Sequence, residues 1–153
     1  MITITTYILH EDSFVKVDSN TDVGLIADRF YIEGAIRMWN GTEEILGLEQ
    51  WDLVDQLWSY LLDGMEELLD GKGETSFSFP DQPLEMAFKM VKGNGLLIRV
   101  GTRKYIVDQK EFFSALLSAA EVFYGFLVQC DASALMQGDK VRLIKNKVLE
   151  FQE

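Results

Sequence analysis

The N-terminal ITITTYIL alternates apolar and polar positions, with Ile2, Ile4 and Ile8 on one side. That period of two, in a β-branched stretch, predicts a strand over residues 2–9. Residues 10–24 read as polar and turn-like. From Leu25 to Met38, Phe30, Ile32, Ile36 and Met38 recur at even spacing. One long strand or two short ones fit, with Gly34 as a candidate bulge. Asn40-Gly41 then turns the chain.

Over residues 49–70 the period changes. At about 100° per residue, Trp51, Val54, Trp58, Leu61, Leu62, Met65 and Leu69 fall in one stripe, which predicts an amphipathic helix that Gly71 stops. Strand patterns follow at 76–79, 84–91, 96–100 and 105–107. Gly93-Asn94-Gly95 marks a hairpin, so these strands read as an antiparallel meander. Asp108 with Glu111 resembles a capping box and opens a helix to about Gln129. A last helix spans about 132–151, with Leu135, Val141, Ile144 and Val148 inward and Gly138 as a candidate break. The expected fold is a single α+β domain over residues 1–153. An antiparallel sheet of five or six strands is packed by two long helices plus a C-terminal helix. Trp51, Trp58, Leu61, Phe112, Leu116 and Phe123 are the expected core.

Composition narrows the class. A chain of 153 residues that is 48% apolar buries enough surface to fold without staples. The single Cys130 excludes an internal disulfide framework. MITITTYILHED lacks the basic start of a secretory leader, so a cytoplasmic location is expected. The formal net charge of −11 argues against nucleic acid and anionic membranes as partners, and it allows attraction to a basic protein.

Candidate chemistry is sparse. Gly71-Lys72-Gly73 has the wrong spacing for a phosphate-gripping loop. It also leaves a helix C-terminus, whose carbonyls repel anions. His10 is the only histidine, so any triad must use it, and no nucleophile elbow is present. One His and one Cys cannot supply a usual zinc ligand set. No cofactor, metal or catalytic residue is expected. A small carboxylate- or metal-dependent enzyme stays open as an alternative if acids converge in a concave site.

The unusual feature is charge. Between Arg37 and Lys72 stand nine acids and no base: Glu43, Glu44, Glu49, Asp52, Asp55, Asp63, Glu66, Glu67 and Asp70. Like charges at helical spacing repel, and nothing local offsets them. The face has three readings. It is a solvated surface, a docking surface for a basic partner, or a surface paired by Lys140, Arg142, Lys145 and Lys147 of the C-terminal run. In the docking reading the partner-binding residues are Asp52, Asp55, Asp63, Glu66, Glu67 and Asp70, extended by Trp39, Glu43 and Glu44 at the neighbouring turn. The 112–130 helix is apolar nearly all round, with a thin strip of Ser114, Ser118, Glu121, Gly125 and Gln129. That suits a central helix, or a homodimer through its second apolar side.

The pattern W…L…L…LLDG…FxFPDxP…F…AL is carried by Trp51, Leu69, Asp70, Gly71, Phe77, Phe79, Pro80, Asp81 and Pro83. It resembles small acidic bacterial proteins, some of them immunity proteins of polymorphic toxin systems. That resemblance implies a cytoplasmic, non-catalytic binder that neutralises a basic toxin by covering its active surface.

Overall fold

The computed structural model describes residues 1–151. Its first sheet is built from β1 (Ile2–His10), β2 (Ser13–Lys16), β3 (Glu33–Asn40), β4 (Glu43–Leu46) and β5 (Asp52–Leu53). The order is β2-β1-β3-β4, and the short β5 also pairs with β3. The second sheet is the meander β6 (Glu74–Ser78), β7 (Glu85–Val91), β8 (Gly95–Val100) and β9 (Arg103–Asp108). Every strand pairing is antiparallel. Three helices complete the α+β fold: α1 (Val54–Glu67), α2 (Gln109–Leu127) and α3 (Ala134–Phe151).

The alternation read from the sequence divides between two sheets rather than running through one of five or six strands. The extra strands come from tight turns. Glu11 and Asp12 both adopt positive φ, the geometry of a two-residue hairpin turn, and return Ser13–Lys16 along β1. Two acids at those positions disguise the turn, because Asn-Gly is the usual signature. The strand expected from Leu25 begins only at Glu33, and Phe30 is 78% exposed. The bulge lies between Met38 and Trp39, not at Gly34. Gly34 is instead a close crossing, pairing with Ile8 on one side and Asp52 on the other.

α1 starts later than its periodicity suggests. Asp52 and Leu53 are held extended against β3, so Trp51 precedes the helix and is 43% exposed rather than core. From Val54 the stripe holds: Val54, Leu57, Trp58, Leu61, Leu62 and Met65 are buried. The helix relaxes into a wider turn over Leu68–Lys72 and ends at Gly71 and Gly73, both at positive φ. Asp108 caps α2 by accepting from the Glu111 amide at 2.9 Å. The Glu111 carboxylate reaches away instead, accepting from the Ile2 amide at 2.8 Å.

α2 is the central helix. It packs on β1 and β9, and α3 packs on both α1 and α2. Ser114, Ser118, Glu121, Gly125 and Gln129 form its exposed strip. α3 packs along the helix, while Val122 stays 43% exposed. Trp58 stacks on Phe123 with centroids 6.2 Å apart, and its indole donates to Thr6 Oγ1 at 3.0 Å. One continuous cluster of buried side chains joins both sheets and all three helices. On α3, Val141, Ile144 and Val148 face inward as expected, whereas Leu135 points out at 60% exposure. Ala134 takes the inward place.

Among the described residues no helix is long and apolar enough to cross a membrane.

The crossing at Gly34 gives a direct test of the packing. A Cβ there sits 2.2 Å from the Tyr7 carbonyl oxygen, a backbone atom that cannot move aside alone. Gly34→Ala is expected to cost about 3 kcal/mol or more in urea denaturation. A loss below about 1 kcal/mol contradicts the crossing.

Candidate functional site

The nine expected partner-binding residues divide into three settings. Along α1 and its terminal turn, Asp63, Glu66, Glu67 and Asp70 lie together, but they do not stand alone. α3 runs beside them, and Lys140 pairs with Asp63. Lys147 reaches Asp70 at 2.9 Å and Glu66 at 3.5 Å. Glu67 is engaged by the Thr75 hydroxyl and by Lys72 at 3.3 Å, and these contacts hold its carboxyl below the usual range. On α2, Glu121 pairs with Lys145. Of the four bases in the third reading, Lys140 and Lys147 reach this face, Lys145 turns to Glu121 and Arg142 pairs with Asp139 on α3 itself, so the face is partly paired.

At the β3–β4 turn, Arg37 pairs with Glu44 at 3.5 Å and lies over the Trp39 ring at 4.9 Å. Glu43 is exposed and makes no ion pair among the described residues. Trp39 is therefore half-covered by its own strand neighbour rather than presented freely.

Asp52 stands before the helix, in β5, while Asp55 sits in the first turn of α1. Asp55 opens α1 half-buried, and burial pushes its carboxyl up, with Asp131 adding a smaller push. Asp52 is only 3% exposed. Its carboxylate accepts from the Leu53 amide at 2.7 Å, the Asp81 amide at 3.0 Å and Gln82 Nε2 at 2.9 Å. The same Gln82 amide donates to the Trp51 carbonyl at 2.8 Å. The Pro80–Pro83 corner, closed by Phe79 N–H donating to Leu84 O at 2.8 Å, is thereby clamped onto β5. The FPDQP stretch noticed in the sequence is the second sheet's attachment to the first.

Above this clamp lies a depression of about 220 Å³ lined by Tyr31, Glu33, Glu49, Trp51, Asp52 and Asp81. Tyr31 and Glu33 also line a second depression of about 400 Å³ that runs to His10, Glu11 and Asp28. The two share Tyr31 and Glu33 in their walls, and six carboxylates line this grooved surface. Glu33, Glu49, Asp81 and Asp28 make no ion pair among the described residues, and Glu11 meets only His10 Nε2 at 3.8 Å. His10 donates from Nδ1 to the Leu25 carbonyl at 3.2 Å, which fixes its ring at the groove wall. Tyr31 is 52% exposed, so two aromatic faces, Tyr31 and Trp51, stand among the acids.

Sequence reading reached Asp52 but missed the rest of this groove. Glu33, Glu49 and Asp81 belong to three segments that only the β5 clamp brings together. The available signal was Trp51: an aromatic at the edge of a helical stripe, followed by an acid and preceded by another two residues away.

Chemically, the groove gathers carboxylates, which attract positive charge. Its acids are poorly placed for general acid–base work in one respect: the oxygens of Asp52, the buried member, already accept from backbone and Gln82 donors. Among the described residues no group of three or more His, Cys, Asp or Glu is arranged to hold a metal ion. Cys130 is a free, partly buried thiol whose Sγ donates to Leu127 O at 3.2 Å, and burial pushes its pKa up.

The clamp makes a measurable prediction. Asp52→Ala leaves the Asp81 and Gln82 donors without their buried acceptor, at an expected cost of about 3 kcal/mol in urea unfolding. A loss under about 0.5 kcal/mol contradicts the clamp.

Comparison with known protein families, with curated proteins and with solved structures yields no match.

Proposed function

We propose that the protein is a non-catalytic binding protein that captures a basic protein partner in the Tyr31–Trp51 groove. The observation that carries this reading is the distribution of charge. α3 pairs with part of the α1 face, while Asp28, Glu33 and Asp81 in the groove make no ion pair among the described residues and lie near two exposed aromatic rings. Unpaired carboxylates accelerate encounter with a cationic surface. Aromatic faces supply the desolvated anchor that charge alone lacks, and an arginine or lysine stacks well on Trp or Tyr.

Neutralisation of a basic toxin in the cytoplasm, the role implied by the resemblance to immunity proteins, fits this arrangement. Such a toxin needs cationic residues at its active surface, and an acidic, aromatic groove is complementary to them.

A ten-residue arginine-rich peptide serves as the probe. At low salt, Glu33→Lys with Glu49→Lys is expected to slow association by about tenfold or more, and Trp51→Ala to speed dissociation. Asp63→Asn with Glu66→Asn is expected to leave both rates within about twofold, because those acids are already paired. Equal losses from the two double variants, or none from the groove pair, overturn the assignment.

A further inference from the structure

The outer face of the second sheet carries a depression of about 490 Å³, remote in chemistry from the acidic groove. Ser76 and Ala87 are cross-strand partners and Ala87 partners Arg99, so short side chains leave space in the middle of that row. Three cations surround it: Lys89, Arg99 and Lys104. Arg99 and Lys104 are directly opposed across β8 and β9. Like charges in that register repel, and Lys104 has no acid of its own among the described residues to offset it. Glu85 pairs with Arg99, and the Gly101 carbonyl accepts from its Nη1 at 2.9 Å, which fixes the guanidinium and leaves other N–H groups unused. Lys104 makes no ion pair among the described residues, and Lys89 stands directly opposite Glu74 in the β6–β7 register.

We propose that this face is a binding site for a compact, multiply charged anion of the phosphorylated small-molecule class. Size selects that class over a nucleic acid. At physiological ionic strength a charge is felt over about 8 Å, so a small anion seated here senses three cations against the two acids Glu74 and Glu85. A long polyanion extends past that range over a chain of net charge −11 and is repelled. A fixed guanidinium flanked by two lysines suits phosphate oxygens, since it donates in a plane while the ammonium groups follow as point charges.

Pyrophosphate is the probe, titrated against the amide NMR spectrum of the full chain at constant ionic strength. Saturable shifts confined to the Ser76, Ala87, Lys89, Arg99 and Lys104 neighbourhood are expected. Lys89→Ala with Lys104→Ala, two exposed positions that leave the core untouched, is expected to weaken binding about tenfold or more. Three results overturn the proposal: no saturable shift at tens of millimolar pyrophosphate, equal binding by the double variant, or a short DNA duplex binding the same face as tightly as pyrophosphate.

Discussion

Asp52 takes a carboxylate into an interior position where three donors meet it. Burying an ionised group without such partners costs several kcal/mol, so the chain can place Asp52 there only if the Pro80–Pro83 corner arrives as well. The two sheets are thereby linked at one point outside the apolar core. The consequences spread outward. β5 is pinned beside Glu33 and Gly34, Trp51 is held at the surface before α1 can begin, and Asp81 is carried to the same wall as Glu49. Without the clamp these residues belong to separate loops.

A second constraint governs charge. An acidic helix needs relief, and α3 supplies it along one flank through Lys140 and Lys147. α3 itself is amphipathic in an unusual sense. Val141, Ile144 and Val148 seat it on the core, while its lysines reach sideways to α1 and α2. Acids without ion pairs among the described residues remain elsewhere, Asp28, Glu33 and Asp81 of the groove among them. The outer face of the second sheet gathers Lys89, Arg99 and Lys104 together with Glu74 and Glu85.

Much of the fold is legible from periodicity because the burial patterns are strict. The α1 stripe, the β6–β9 meander and the thin polar strip of α2 follow directly from residue spacing. What escapes is set by distant partners. Asp52 sits in helical register with Asp55 and reads as one more surface acid, yet its fate depends on amides some thirty positions later. Trp51 lies on the apolar stripe, but pairing of the next two residues with β3 keeps it out of the helix. Phe30 obeys the even spacing of Ile32 and Ile36, although the strand starts only at Glu33. The lysine pairing of α1 was readable as one option, since the C-terminal run is basic, but only packing selects it. The groove had no contiguous signature, because its acids come from four stretches of chain, at Glu11, Asp28–Glu33, Glu49–Asp52 and Asp81.

The account stands on the Asp52 clamp, and the amide of Asp81 reports on it most directly. This N–H lies in a short loop, where exchange with solvent is ordinarily fast. Donation to a buried carboxylate predicts that hydrogen exchange measured by NMR finds it slowed on the order of tenfold to a hundredfold relative to other loop amides, with the slowing lost in Asp52→Ala. Exchange at the rate of a free loop in the unaltered protein contradicts the clamp, and with it the groove that the clamp assembles.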